Sequence, residues 1–229
     1  MLILAMDTSG PACSTAVLED GTLLYEARAV NRLTHSSSLM LMVEEALNKS
    51  GRTKANIGLL AVVVGPGSFT GVRIGVAAAQ GMARGLGILC VPVDALEAMA
   101  KSDIFSDKVI CTISDARAGQ VYGAAFLNGR RLFPDIAMKM DEYLEKVLSM
   151  GDSFFFLGDG VSINKDRIMS KMGNRAVFAP AHLVLPGAAS AAMIGHEKQE
   201  SAVEPGQLKP LYLRVPQAER LRAETDGRA

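Results

Sequence analysis

The chain lacks tryptophan, and aromatic residues make up only 5% of its 229 residues. Its core must therefore be built mainly from aliphatic and methionine side chains, and the hydrophobic fraction of 49% is enough for one large or two small domains. An excess of either charge is also absent, because 24 basic residues balance 24 acidic ones. Without a basic field, we expect this chain alone not to bind nucleic acid.

Cysteine and histidine are scarce, with three residues of each. Cys13, Cys90 and Cys111 lie far apart in apolar stretches, which predicts buried, reduced thiols and a cytoplasmic location. The histidines have no metal-ligand spacing, so the sequence predicts no metal site. A Gly-x-Ser-x-Gly nucleophile elbow is absent too, and we predict no catalytic residues.

Signals for membrane targeting are also missing. The N-terminal stretch MLILAMDTS has no basic segment and no cleavage site, so it predicts a β-strand and not a signal peptide. No apolar run approaches the roughly 20 residues that a membrane-spanning helix needs. We therefore expect no membrane association.

A glycine-rich stretch, residues 59–85, is the strongest local feature. Leu59 to Val64 predicts a strand buried on both faces, and Gly65-Pro66-Gly67 predicts a sharp turn. Ser68 is a good N-cap for a helix over residues 69–84. Gly65, Gly67 and Ser68 are weak candidates for cradling a phosphate, although Walker A and GxGxxG patterns are both absent. The alternative is a tight strand-to-helix turn that serves packing alone.

Small residues also recur every four positions along this helix, at Gly71, Gly75, Ala79 and Ala83. Glycine costs about 1 kcal/mol relative to alanine inside a helix, so this row suggests the close approach of another backbone. That backbone belongs either to a partner helix or to the chain's own sheet. A second predicted helix, residues 36–48, has a wide apolar arc that suggests an interaction surface. The predicted partner interface comprises Leu39, Met40, Met42, Val43, Gly71, Gly75, Ala79 and Met82.

The order of predicted elements repeats along the chain. Asp7 and Gly21 are 14 positions apart (21 − 7), as are Asp115 and Gly129 (129 − 115), and both stretches end in a hairpin turn. The pattern predicts an α/β protein of actin-like ATPase (ASKHA) architecture with two RNase H-like βββαβαβα lobes. We place the lobes at residues 1–102 and 103–215, with a C-terminal tail at 216–229. Two unrelated hairpins with chance spacing are the alternative.

An interlobe cleft would collect further weak ligand candidates. Asp7, Thr8 and Ser9 follow the first strand, and Asp115 with Arg117 occupies the matching turn of the second lobe. Gly158 and Asp159 form a later glycine turn. Arg117 makes the second turn a poor phosphate loop, and it either holds an anion or pairs with Asp115. We predict no cofactor.

Several motifs across almost the whole chain resemble the TsaB (YeaZ) family. They are ILAMDTS (3–9), Cys13-Ser14, HSSSL (35–39), GPGSFTGVRIG (65–75), PVDALEAMA (92–100), DARAGQVY (115–122), GDG (158–160) and PLYLR (210–214). The chain departs from the family pattern at Leu41, Ala118 and Gln120, where the family often has Pro, Arg and Glu.

The resemblance implies a bacterial cytoplasmic protein needed for threonylcarbamoyladenosine at position 37 of certain tRNAs. Such a protein is a partner and dimerisation subunit of the catalytic paralogue TsaD, together with the ATPase TsaE. It implies a homodimer when the chain is alone, and no direct tRNA binding by this chain alone. The family was formerly labelled glycoprotease-like.

TsaD-type chains carry a His-x-x-x-His metal pair, and Ala95 and Met99 occupy the corresponding positions here. The chain is therefore predicted to be an accessory subunit and not an enzyme. The rival interpretations are an ATPase or small-molecule kinase that uses the cleft, and a glycoprotease-like metallopeptidase.

Overall fold

A computed structural model describes residues 1–30, 34–101, 107–185 and 187–214. The predicted tail at 216–229 and the predicted lobe boundary between residues 102 and 103 lie outside the described residues. None of the described helices is long and apolar enough to cross a membrane.

The first half of the chain forms a five-stranded sheet, sheet 1, with the strand order β3-β2-β1-β4-β5. Strand β1 pairs antiparallel with β2 and parallel with β4, so the sheet is mixed. Residues of β1 and β4 are buried almost throughout because helices cover both faces of the sheet. The strands are β1 (Leu2–Asp7), β2 (Cys13–Glu19), β3 (Thr22–Ala29), β4 (Ile57–Gly65) and β5 (Leu89–Asp94).

Sheet 2 repeats this arrangement in the second half, with β11-β10-β6-β7-β8 in order and β9 also paired with β7. Its strands are β6 (Val109–Asp115), β7 (Gln120–Leu127), β8 (Arg130–Arg131), β9 (Ile136–Lys139), β10 (Phe154–Leu157) and β11 (Ala176–Phe178). The matching order of three antiparallel strands followed by two parallel ones confirms the predicted actin-like architecture.

Six α-helices cover the sheets among the described residues. They are α1 (His35–Lys49), α2 (Phe69–Leu86), α3 (Ala95–Ala100), α4 (Met140–Leu148), α5 (Gly160–Met172) and α6 (Ala188–Glu197). Short 3-10 helices occupy Lys54–Asn56, Gly173–Arg175 and Gln199–Ser201. Helices α1 and α2 lie side by side on one face of sheet 1, and α6 packs on the other face.

Local sequence shapes two elements of the second half. The third antiparallel strand of sheet 2 is interrupted into β8 and β9, because Pro134 between them has no N–H to donate to a sheet. Helix α5 begins at Gly160, since Gly158, with φ of +112°, turns the chain directly from β10 into α5.

The last helix crosses from the second half of the chain to the first sheet. Ala191, Ala192 and Ile194 of α6 pack with Ile3 and Ala61 in the core of sheet 1. Residues beyond 102 thus complete the packing of sheet 1, and the lobe boundary at 102 stays a prediction.

A C-terminal strap, residues 203–214, then runs back across sheet 1. Val203 exchanges backbone hydrogen bonds with Cys90 of β5 at 2.8 and 3.0 Å, and Leu208 is buried in the core. The Leu211 N–H donates to the Val64 carbonyl at 2.7 Å. A Cβ at Gly65 would lie 2.6 Å from the Leu211 carbonyl oxygen, so only glycine lets the strap pass this close.

Candidate interlobe cleft and partner-binding surface

A cavity of about 570 Å³ opens where the ends of β1 and β6 face each other. It collects the turn after β1, the first turn of α2, the turn after β6, the start of α5 and the end of the strap. Predicted cleft residues that line it are Ser9, Gly67, Ser68, Asp115, Arg117 and Asp159. The structure places Asp7, Thr8, Gly65 and Gly158 outside its lining, although Asp7 lines a much smaller adjacent cavity with Asp159.

The end of β1 is tied to its own neighbours. Asp7 is 5% exposed, and its Oδ1 accepts hydrogen bonds from the Ser9 N–H at 2.8 Å and the Ser9 hydroxyl at 2.7 Å. Burial raises the pKa of this carboxyl. Thr8 is fully buried, and its hydroxyl donates to the Gly71 carbonyl at 2.7 Å. These side chains fix the β1 turn against α2.

The corresponding turn of the second lobe holds an ion pair. Arg117 Nη1 lies 3.4 Å from Asp115 Oδ2, and the Arg117 N–H donates to Asp115 Oδ1 at 2.8 Å. The structure thus shows the pairing with Asp115, while the predicted role of Arg117 in holding an anion stays a prediction. The guanidinium of Arg214 closes the turn from the other side by donating to the Ala116 carbonyl.

Asp159 stands at the start of α5 and lines both cavities. Its Oδ1 is buried without a hydrogen-bond partner among the described residues. Burial raises the pKa of this carboxyl, although a hydrogen bond from Ser114 opposes the shift. The folded state therefore disfavours the charged form of Asp159.

This shift predicts how stability depends on pH. A carboxyl whose pKa is raised on folding destabilises the protein once pH exceeds the unfolded-state pKa, and increasingly so as pH rises through the folded-state pKa. We expect Asp159→Asn, which is neutral, to raise the free energy of unfolding at pH 8 more than at pH 4. Urea unfolding at the two pH values measures this, with Asp166→Asn on the exposed side of α5 as the matched control. An equal effect of both substitutions at pH 8 would contradict the assignment.

The two positions at which the resemblance implies a metal pair in TsaD-type chains are part of the core here. Ala95 and Met99 of α3 are 1% and 3% exposed and pack among apolar side chains. Within the described ranges, no group of three histidine, cysteine, aspartate or glutamate residues is placed to hold a metal ion.

The outer side of α1 differs from the predicted interface. Leu39, Met42 and Val43 are at most 9% exposed, because they pack α1 onto sheet 1. This corrects their assignment as surface residues. Met40 and Leu41 do face outward, with 45% and 67% exposure.

The small-residue row of α2 also faces inward. A Cβ at Gly71 would lie 2.1 Å from the Thr8 carbonyl oxygen, and one at Gly75 would lie 2.5 Å from the Thr8 hydroxyl. Ala79 is fully buried. The close approach that this row permits is therefore made by the chain's own β1 turn, which corrects the prediction that it receives a partner helix.

A different row of small residues lies on the outside of α2. Ala77, Gly81 and Gly85 are exposed at spacing four, and a Cβ at either glycine would meet nothing within 4 Å. Met82, which was predicted in the interface, is partly exposed beside them. Together with Met40 and Leu41 these residues form the α1–α2 face. The signal that would have found it is the same four-residue spacing, displaced by two positions along the helix.

A curated relative decides the family. The tRNA threonylcarbamoyladenosine biosynthesis protein TsaB of Bacillus subtilis (strain 168) is 33% identical over 223 residues, which cover 96% of each chain. The chain belongs to the TsaB (YeaZ) family. TsaB of Escherichia coli (strain K12) is 40% identical over 129 residues, or 55% of each chain.

A solved structure of the same family also matches the fold of this chain. The solved structure of YeaZ from Pseudomonas aeruginosa matches with a TM-score of 0.77 and 28% identity, covering 93% of this chain and 99% of that one. A family model described as TsaD, tRNA N6-adenosine threonylcarbamoyltransferase, matches residues 29–221. This chain thus shares a domain with the transferase that the family model describes.

Proposed function

We propose that this chain is a non-catalytic subunit required for N6-threonylcarbamoyladenosine formation at position 37 of tRNA. It binds and supports a TsaD-type transferase, with a TsaE-type ATPase in the same cytoplasmic complex. Support comes from relatives named as tRNA threonylcarbamoyladenosine biosynthesis proteins and from the domain shared with TsaD.

The α1–α2 face is the observation that carries the partner role. Met40 and Leu41 expose large apolar side chains beside a helix whose outward row lacks side-chain bulk at Gly81 and Gly85. A partner helix can lie close to such a row and gain dispersion contacts along its length. Because TsaD shares this domain, one face can serve a homodimer of this chain and a pseudo-symmetric heterodimer, so the two assemblies compete.

The site chemistry supports an accessory role. Apolar Ala95 and Met99 replace the paired imidazoles, and the Asp115–Arg117 ion pair occupies the turn where a phosphate loop would need free backbone donors. A metallopeptidase function has no support from these residues.

The test is reconstitution with the host's own proteins. We expect this chain to co-purify with the TsaD-type paralogue, and the tRNA product to disappear when either subunit is omitted. The modified nucleoside is measured by mass spectrometry of digested tRNA. Product formation at full rate without this chain would contradict the proposed function.

The cleft favours one rival function, an ATP-dependent enzyme, which can be tested directly. Its cavity of about 570 Å³ is in the size range of small-molecule sites, which favours an ATP-dependent enzyme. We expect weak or absent ATP hydrolysis by the isolated chain, because Asp115 and Arg117 neutralise each other at the second turn. Calorimetry that detects micromolar ATP binding, together with its loss in Asp115→Ala, would instead support the enzyme.

A further inference from the structure

An arginine at the cleft end of α2 is fixed in place by two aromatic rings. The guanidinium carbon of Arg73 lies 3.8 Å above the centroid of the Phe69 ring and 5.9 Å from that of Tyr212. The two rings are themselves stacked, with centroids 4.6 Å apart. Arg73 Nε donates a hydrogen bond to the Tyr212 hydroxyl at 2.9 Å. One α-helical residue and one strap residue therefore set the orientation of this side chain.

The ordering of Arg73 is not explained by an ion pair. Arg52 and Arg131, for comparison, are held by Glu19 and by Asp94. Within the part of the chain that the structure describes, no carboxylate lies within ion-pair distance of Arg73. Because Nε is already used, the two terminal nitrogens present a planar fork to solvent. A free arginine side chain loses rotamer entropy when it binds a ligand, so one that is already ordered loses less.

We propose that Arg73 is the anchor for an aspartate or glutamate side chain of the TsaD-type partner, at the cleft end of the α1–α2 face. This inference rests on the proposed function, since it names the chemistry by which that face recognises its partner. A planar guanidinium held in one orientation matches a carboxylate through two parallel hydrogen bonds.

The surroundings of Arg73 favour a protein carboxylate over an RNA phosphate. Ala77 follows one turn along the same side of α2, so Arg73 continues the apolar face directly. On the neighbouring helix α1, the exposed Glu44 and Glu45 disfavour an RNA backbone along that helix. The chain as a whole has no net charge to attract RNA.

Conservative variants separate the effect of the planar guanidinium geometry on binding from the effect of the positive charge. Arg73→Lys keeps the positive charge and loses the planar fork, and Tyr212→Phe keeps the ring and loses only the hydroxyl that orients Nε. Arg130→Lys is the control, because Arg130 is an exposed cation of β8 in sheet 2, away from the α1–α2 face. Each full-length variant is titrated calorimetrically with the host's TsaD-type paralogue, and its thermal unfolding is recorded.

We expect the dissociation constant to rise about tenfold in Arg73→Lys and several-fold in Tyr212→Phe, with Arg130→Lys within twofold of wild type. Wild-type affinity in both Arg73→Lys and Tyr212→Phe would overturn the inference alone. Absence of binding by the wild-type chain would overturn the proposed function and the inference together. If the variants weaken only the binding of tRNA to the assembled complex, Arg73 contacts a phosphate group. That result would also overturn the inference. If Arg73→Lys unfolds at a lower temperature than wild type, the affinity of Tyr212→Phe for the paralogue decides whether the inference holds.

Discussion

Gly81→Arg is expected to abolish binding of the TsaD-type paralogue while leaving the chain folded. A Cβ at Gly81 meets nothing within 4 Å, and arginine is a better helix former than glycine by roughly 1 kcal/mol, so the helix itself gains stability. The long side chain would stand where a partner backbone must approach. We expect a loss of affinity of about 100-fold or more, which corresponds to roughly 3 kcal/mol.

Two controls separate the steric effect from other causes. Gly81→Ala adds one methyl group to the same position and should leave affinity within a few-fold of wild type. Ser170→Arg adds the same charge on the exposed side of α5, away from the α1–α2 face, and should bind normally. Light scattering reports self-pairing in parallel. Wild-type affinity and unchanged self-pairing in Gly81→Arg would show that α2 is not in either interface.

The position of this face shows what the sequence can and cannot specify. The spacing of glycine and alanine correctly indicates close backbone approach on α2, but two rows satisfy it. One row contains Gly71 and Gly75, and the other contains Gly81 and Gly85. The choice depends on how the helix is rotated, which follows from Val72 and Val76 entering the core and from Thr8 reaching the Gly71 carbonyl. Those contacts join residues more than 60 positions apart, since 71 − 8 is 63.

The cleft was predictable in outline for a related reason. Matching turns after β1 and β6 follow from the internal repeat, so Ser9 and Asp115 are found at one cavity. The strap was not predictable, because its anchors, Val64 and Cys90, lie far from it in sequence and leave no periodic signal. The same strap supplies Tyr212, and therefore the orientation of Arg73.

Gly71→Ala is expected to destabilise the fold more than any surface change considered for this chain. The new methyl carbon would lie 2.1 Å from the Thr8 carbonyl oxygen and 3.3 Å from the Thr8 carbonyl carbon. Both are backbone atoms of the turn after β1, which cannot move aside as a flexible side chain does. Relief requires α2 to shift away from sheet 1, which breaks the Thr8–Gly71 hydrogen bond and opens the core around Val72 and Val76. We expect a loss of about 3 kcal/mol or more in the free energy of unfolding.

Three further alanine variants test whether a backbone clash causes the loss of stability in Gly71→Ala. Gly75→Ala places its methyl group 2.5 Å from the Thr8 hydroxyl oxygen, a side-chain atom, so Thr8→Ala should rescue much of its loss of stability. The same second substitution should not rescue Gly71→Ala, because the clash there is with backbone. Gly81→Ala on the open side of the helix should raise the free energy of unfolding by about 0.5–1 kcal/mol. Urea unfolding of the single and double variants measures all of these differences. Equal rescue of Gly71→Ala and Gly75→Ala by Thr8→Ala would show that the Thr8 side chain, and not the backbone of the turn, limits how closely α2 packs.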